Sequence, residues 1–439
     1  MIDNTTFGTR TALFHTFGCK LNFAETSTVA KLFADRGIRR VQTGETPDVC
    51  VINTCSVTEF ADKKCRQYIR SLHKRYPEAT IIVTGCYAQL KSEEVASISG
   101  VKIVAGVDQK LELGQILDEW ITNHQPQTIV TPTKSIRRFL PSCSRGDRTR
   151  YFLKVQDGCD YFCTYCTIPM ARGRSRSGTI DEMVAQAQQV VADGGKEIVI
   201  TGVNIGDFGK GRDDSFFDLI KALDDVDGIE RYRISSIEPN LLSDEIIKFV
   251  AQSKRFMPHF HIPLQCGSDD VLKLMHRHYD TALFRHKIET IRTTIPDAFI
   301  GVDLIVGARG ETPERFEESR AFVESLDISR LHVFTYSERP GTKALGIGYT
   351  VAPQEKHRRT RIMLDISEKK LLDFSNRFIG TSRPILVEHT QRGKTMNGFT
   401  DNYLKVVIDA DKSLENKITS AQLIDIIDNG EAIKGEIIK

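Results

Sequence analysis

Between residues 151 and 338 a short β-rich run is followed by a helical stretch six times in succession. The runs are 151–158, 197–204, 231–239, 259–267, 299–307 and 330–338; helices are expected at 180–193, 215–225, 243–252, 268–293, 313–326 and 352–377. A parallel strand can be reached only by a crossover, so this alternation predicts a parallel sheet. Right-handed crossovers in series curl such a sheet into a barrel, and six units, fewer than the eight that close one, predict an open barrel. In the fourth run His259, His261, Pro263 and Gln265 share one face, and Phe260, Ile262 and Leu264 the other. The polar face suits a ligand-lined lumen and the apolar face suits packed helices. The two histidines are expected to be hydrogen-bonding groups there. In the fifth run Asp303 shares the face of Gly301 and Gly307.

The first third repeats the pattern on a smaller scale. ALFHTFGC, DVCVINTC and TIIVTGC each run from a β-rich segment into a turn, ending at Cys19, Cys55 and Cys86, and helical stretches follow at 22–36, 58–75 and 92–97. Strand C-termini of a parallel sheet share one edge, where ligands bind. The three cysteines are therefore expected to converge as a metal or cluster site. Of the others, Cys50 reads as core of its strand, Cys65 as helical and Cys143 as part of a linker. The expected organisation is an α/β domain over 10–123, a basic linker over 124–144, a barrel core over 145–375 and a small β-rich domain over 378–439.

The chain has 439 residues, 40% of them hydrophobic, a net charge of +2 and ten cysteines. No run approaches the roughly 18 apolar residues of a membrane span, and the start, MIDNTTFGTRTALF, lacks the apolar core of a signal peptide. A cytoplasmic location is expected, in which cysteines are metal ligands, catalytic groups or core rather than disulfides. Three basic clusters (Lys134 to Arg150 with Arg137, Arg138, Arg145 and Arg148; Arg172, Arg174 and Arg176; Lys356, Arg358, Arg359 and Arg361) lean toward a phosphate-rich partner.

CDYFCTYC, 159–166, follows the first barrel run and so lies at the barrel mouth, where such folds place chemistry. Its spacing, Cys159-x3-Cys163-x2-Cys166, supplies three thiolates. Zinc takes four ligands, and no second Cys-x2-Cys is near. A four-iron cluster on three thiolates leaves one iron open for substrate or cofactor.

With the six-unit barrel, this motif resembles the radical S-adenosylmethionine (SAM) superfamily, in which the open iron chelates SAM and cleaves it to a 5′-deoxyadenosyl radical. TFGCKLN, INTCSVTEFADKKCRQ, VTGCYAQ, QDGCDYFCTYCTIPMARGRSRS and YSERPGTKA are similar to segments of the methylthiotransferases, and GFTDNYLKV is similar to their TRAM domain, a small RNA-binding β-barrel. The resemblance covers nearly the whole chain. It implies an N-terminal α/β domain, a partial (β/α)6 radical SAM barrel and a C-terminal TRAM barrel. It implies two [4Fe–4S] clusters, one on Cys159, Cys163 and Cys166 and an auxiliary one on Cys19, Cys55 and Cys86, together with SAM. It further implies a methylthio transfer to adenosine 37 of a tRNA anticodon stem-loop, with a flavodoxin- or ferredoxin-type electron donor. GCKLN and NTCSVT are nearest to the branch acting on N6-threonylcarbamoyladenosine. Alternatives are the isopentenyladenosine branch, a ribosomal-protein aspartate as substrate and, in another class, a zinc-dependent RNA-binding module. SAM contacts are expected from Gly202, Asn204, Ser236, Glu238 and Gln265, with Arg172 and Arg174 facing SAM or RNA phosphate. Phe399 and Tyr403 are candidates for base stacking or small-barrel core. No side-chain acid or base is assigned. GARGET, 307–312, departs from the family's Gly-Phe-Pro-Gly-Glu-Thr, leaving its turn in question.

Overall fold

The structure, a computed structural model, describes residues 10–145 and 149–438. Asp147 and Arg148 of the basic segment, the first nine residues and the last residue lie outside the described residues. Three bodies pack together, each with its own core.

The first is a six-stranded, all-parallel sheet of β1 (Thr11–Thr16), β2 (Arg39–Arg40), β3 (Val49–Thr54), β4 (Thr80–Gly85), β5 (Val101–Ala105) and β6 (Gln127–Ile129), in the order β2-β1-β3-β4-β5-β6. β3 and β4 are buried throughout, as central parallel strands are when helices cover both faces. Cys50 and Cys65 lie in this core. The segment expected to be a linker contributes β6 to this sheet and β7 (Ser142–Cys143) to the next. QTI is too short to show a strand period, so its pairing is set by the neighbouring strand.

The second body is the barrel. β8 (Arg150–Lys154) leads to a short hairpin of β9 (Gln156–Asp157) and β10 (Arg176–Ser177), which brackets the cysteine loop. β11 (Glu197–Thr201) and β12 (Arg231–Ile234) run parallel to β8, with β7 antiparallel on its other edge. β13 (His259–Gln265), β14 (Phe299–Val306) and β15 (Arg330–Thr335) form a second parallel set. Single bridges, Tyr232 to Phe256 and Ser236 to His261, join the two sets. Six parallel strands thus form an open barrel, as the alternation predicts. One expected helix is broken. The stretch 268–293 forms two helices, Asp269–Leu274 and Thr281–Thr294. His276 takes φ +59°, and the Asp280 side chain caps the second helix by accepting from Leu283 N at 2.8 Å. A left-handed residue ends a helix, and this one turns Arg277 and Tyr279 back toward the barrel mouth.

The third body is a closed barrel of β16 (Ser382–Arg392), β17 (Thr395–Thr400), β18 (Lys405–Asp409), β19 (Ile418–Ile427) and β20 (Ala432–Ile437), in the order β16-β17-β18-β20-β19. Arginines at the starts of the large barrel's strands hold it. Arg231 donates to the carbonyls of Phe399 and Pro384 (both 3.0 Å), and Arg233 to those of Asp401 (2.6 Å) and Thr400 (2.8 Å). Arg150 bonds the Tyr403 hydroxyl (3.2 Å) and lies 4.2 Å over the Phe399 ring. Phe399 and Tyr403 stack on each other, 5.2 Å apart, in this joint. Among the described residues no helix is long and apolar enough to cross a membrane.

Candidate functional site: two facing cysteine loops

Cys19, Cys55 and Cys86 follow β1, β3 and β4, three adjacent strands, and so share one sheet edge. Gly18 lets them approach. It sits at φ +100°, and a Cβ there would lie 2.9 Å from Cys55 Cβ. Burial pushes the Cys55 thiol up to about 12, and the neighbouring Cys86 and Cys19 thiols add to the effect.

The loop after β8 carries the second set. Gly158, at φ +70°, lies against the chain of Arg174, so a Cβ would fall 2.0 Å from that carbonyl. Burial pushes Cys159 and Cys166 up to about 12 and raises Cys163, with the other two thiols contributing to Cys159. The Tyr161 amide donates to Cys159 Sγ (3.5 Å), and the Ile168 amide to Cys166 Sγ (3.4 Å). Arg277 Nη1 lies 3.0 Å from Cys163 Sγ.

The two loops touch. Thr167, the residue after Cys166, donates to the carbonyl of Ser56, the residue after Cys55, at 3.2 Å. Arg339, in the late segment YSERPGTKA, ties the same place, donating to Ser56 Oγ (2.8 Å), Asp62 (2.7 Å) and Glu59 (3.0 Å). A cavity of about 210 Å³ between them is lined by Val57, Thr58, Cys166, Gln265, Asp303 and Phe334, among others.

Beneath the loops is a buried charge network. Glu25 accepts from Lys154 (2.8 Å), from both Arg172 nitrogens (3.0 and 3.1 Å) and from Lys110. Asp157 accepts from Arg172 (2.8 Å), Lys154 (2.7 Å) and Arg176 (3.1 Å). Burial alone would raise both carboxyls, but Arg172 and the lysines hold Glu25, and Arg172, Lys154 and Arg176 hold Asp157, well below the usual carboxylate range. Arg172, expected to face SAM or RNA, is thus fully committed between domains, whereas Arg174 is exposed beside Asp160. Arg359 of the third basic cluster is also buried, paired with Glu311 at 2.8 Å. Glu311 accepts from Gly307 N (2.9 Å), and Arg309 reaches the carbonyls of Leu345 and Ile347 (both 2.9 Å). This resolves the GARGET departure: the turn is held by Glu311, and Arg309 staples it to the loop beyond.

The expected SAM contacts all lie at strand C-termini. Gln156 Oε1 accepts from the amides of Val203 (3.0 Å) and Asn204 (2.7 Å), fixing the turn after β11. The Asn204 side chain is buried beside Asp207, and among the described residues neither of its polar atoms makes a hydrogen bond of good geometry. Such groups are rare and are normally satisfied by something bound. Glu238 pairs with Arg277, Ser236 bridges to β13, and Gln265, at φ +64°, lines the cavity beside Cys166. Lower in the lumen His261 Nε2 meets Asp303 Oδ1 at 2.7 Å, and His332 lies 5.0 Å from His261. Cys266 is buried in a core cluster against which Tyr165 of the cysteine loop packs. Sequence reasoning missed Arg277, Lys20, Arg339 and the Glu25 network. Lys20 lay in TFGCKLN, Arg339 in YSERPGTKA, and Asp157 and Arg172 of the network in the cysteine-loop segment, all singled out for other reasons; Arg277 lay in none of them.

Both thiol sets fit an iron–sulfur cluster with three soft donors each, and the barrel set adds amide N–H groups on Cys159 and Cys166 and a guanidinium on Cys163. Among the described residues no three His, Cys, Asp or Glu side chains form a group placed to hold a single metal ion. Arg277→Met is expected to lower cluster affinity or activity by about 10–100-fold, the usual cost of losing an outer-shell partner. It should also make the cluster harder to reduce, since a positive charge is lost beside Cys163. A redox titration followed by electron paramagnetic resonance checks this, with Arg277→Lys restoring the potential.

An open six-stranded parallel barrel with three cysteines after its first strand defines a radical-SAM-type fold, and residues 153–323 match the Radical SAM superfamily. Residues 11–106 match Uncharacterized protein family UPF0004. The chain is 38% identical to "Threonylcarbamoyladenosine tRNA methylthiotransferase MtaB" of Bacillus subtilis over 94% of each chain. It is 36% identical to the protein of that name in Thermotoga maritima, over 90% of this chain and 91% of the relative. The chain therefore belongs to the radical SAM methylthiotransferases of the MtaB type. A "tRNA-2-methylthio-N(6)-dimethylallyladenosine synthase" of Sulfurihydrogenibium is 31% identical over 96% of this chain and 98% of its own. Among solved structures, the radical SAM methyltransferase TsrM of Kitasatospora setae shares the fold, with a TM-score of 0.55 at 15% identity, over 76% of this chain and 74% of its own.

Proposed function

We propose that this enzyme installs a methylthio group at C2 of N6-threonylcarbamoyladenosine 37 in tRNA, giving 2-methylthio-N6-threonylcarbamoyladenosine. In this reading Cys159, Cys163 and Cys166 hold the cluster that binds SAM, and Cys19, Cys55 and Cys86 hold the auxiliary cluster. Together, the clusters and SAM supply radical C–H activation, sulfur and a methyl group. The observation that carries the reading is the hydrogen bond between the two cysteine loops, Thr167 to Ser56, because hydrogen abstraction and sulfur delivery must meet at one carbon.

The chain's own residues position and exclude water. Gln156 holds the Val203–Asn204 turn, which leaves the Asn204 amide free to bind the methionine end of SAM. Arg277 neutralises Glu238 and donates to Cys163. Ser236 and Gln265 border the same mouth. The Arg339 ties and the Glu25 network fix the auxiliary set against the barrel. The small barrel has the closed five-stranded form of a TRAM domain, and Lys394, Lys412, Lys417 and Lys434 are exposed on it to meet phosphates. Adenine C2 is reachable only on an unstacked base, which suits an anticodon loop. The partners are then tRNA and a small electron-transfer protein of the flavodoxin or ferredoxin type, in the cytoplasm.

Nucleosides of tRNA from a strain lacking the gene are expected to lose 2-methylthio-N6-threonylcarbamoyladenosine and accumulate its unthiolated parent, with the gene restoring both. Unchanged methylthio nucleosides would overturn the assignment.

A further inference from the structure

Three cavities follow one another through the molecule. The one between the cysteine loops shares Asp303 and Phe334 with a larger lumen of about 500 Å³. That lumen shares Lys20, His259 and Tyr403 with a third, of about 270 Å³, which is lined by Cys19. The lumen's size suits a modified base, and its lining is polar. Gly301, His261, Asp303 and His332 face it from β13, β14 and β15, and Lys20 faces it from the N-terminal domain.

Its charges are mostly spent. Asp303 meets His261, and Arg330 forms two bonds to Glu431 (both 2.8 Å). Arg150 and Arg233, lining the third cavity, pair with Glu388 (3.2 Å) and Glu197 (2.8 Å). Lys20 and Lys405 are the exceptions: among the described residues neither ammonium has a carboxylate partner. Of the two, only Lys20 lines both cavities and directly follows Cys19. Its charge is felt in the lumen. Burial is the main cause that lowers His259 and His332, and Lys20 lowers both further. His332, at about 4, is a neutral ring at pH 7.

The chemistry of the base fits this placement. In adenine only N1 separates C2 from C6, so a base receiving sulfur at C2 beside Cys19 carries its N6 substituent within a side chain's length. A threonylcarbamoyl group ends in a carboxylate; an isopentenyl group is wholly apolar. A partly buried ammonium without a counter-ion is wasted on the second and matched by the first.

We infer that Lys20 is the specificity residue that binds the carboxylate of the N6-threonylcarbamoyl substituent, with His332 and His261 beside it in the lumen. The inference rests on the threonylcarbamoyl reading and assigns its recognition to one side chain.

The test uses anticodon stem-loop RNAs bearing N6-threonylcarbamoyladenosine or its threoninol analogue, in which a CH2OH group replaces the carboxylate. Both kcat/KM and Kd (by fluorescence anisotropy) are measured for the reconstituted wild type, Lys20→Gln, Lys20→Arg and Lys405→Gln. The wild type should prefer the carboxylate RNA by about 10–100-fold, as expected for a charged hydrogen bond. Lys20→Gln should lose that preference in Kd as well as in turnover while keeping its iron, Lys20→Arg should restore most of it, and Lys405→Gln should keep it. A preference that survives Lys20→Gln, or one lost only in Lys405→Gln, overturns the inference and leaves the threonylcarbamoyl reading standing. A wild type that turns over isopentenyladenosine RNA and not threonylcarbamoyl RNA overturns both. The Kd arm decides the matter even if a variant loads its clusters poorly.

Discussion

Replacing Cys159, Cys163 and Cys166 together with alanine is expected to abolish SAM cleavage and to halve the iron of anaerobically purified protein, from about eight atoms per chain to about four. The loop belongs to the barrel, whereas Cys19, Cys55 and Cys86 follow strands of the N-terminal sheet, so the two thiol sets are carried by different domains. Each set should therefore load independently. Replacing Cys19, Cys55 and Cys86 should remove the other four irons and abolish methylthiolation, yet leave SAM cleavage measurable as 5′-deoxyadenosine release. Cys266→Ser, at a buried cysteine that belongs to neither set, should keep all eight. Iron and sulfide analysis with product chromatography reads each outcome. A triple variant that retains its iron, or wild-type protein carrying stoichiometric zinc, would sink the assignment. Because burial holds the free thiols protonated, cluster loading must release protons. Reconstitution should therefore run faster at higher pH.

The second large effect is on stability. Glu25→Ala strips Lys110 of its carboxylate partner and leaves Lys154 and Arg172 with Asp157 alone, all three cations being buried. Leaving buried charges uncompensated costs about 3–5 kcal/mol, and a lowered denaturant midpoint measures it. Glu25→Gln keeps the shape and some hydrogen bonds, so it should cost less. The pH dependence has a definite sign. Glu25 and Asp157 are held below their unfolded values of about 4.3 and 3.9. Their contribution is fully present above those values and is lost as pH falls further, toward the folded ones. The wild-type advantage over Glu25→Gln should thus be flat between about pH 7 and 5 and shrink below about pH 4. An advantage that grows with acid would refute the network's role.

The regular parts of the molecule were legible because periodicity and turn chemistry are local. Five of the six barrel strands fall inside the runs read for them and the first begins one residue earlier, at Arg150, and the strands before Cys19, Cys55 and Cys86 are adjacent, as a shared sheet edge requires. The cysteine loop declared itself by spacing alone. What escaped depends on partners distant in sequence. Glu25 and Arg172 are 147 residues apart, and nothing local to ARGRSRS distinguishes a buried guanidinium from a solvated one. Arg277 was hidden in an apparently continuous helix, because a single left-handed residue, His276, decides where that helix ends. Phe399 and Tyr403 read as base-stacking or core residues; Tyr403 packs against the small-barrel core, and both also lie where the two barrels join. Lys20 could not be read as a ligand group until the lumen behind it was known.

The Glu25 network also orders events during synthesis. Glu25 and Lys110 leave the ribosome early, whereas Lys154 and Arg172 belong to the barrel. At about 5–20 residues per second, the stretch between Lys110 and Arg172 takes on the order of 3–12 s to make. During those seconds the nascent N-terminal sheet holds Glu25 against Lys110 alone, and the edge bearing Cys19, Cys55 and Cys86 stands open. Docking of the barrel then closes it. The time at which residue 172 is translated therefore sets a deadline for any iron–sulfur delivery that must reach the first cysteine set unobstructed.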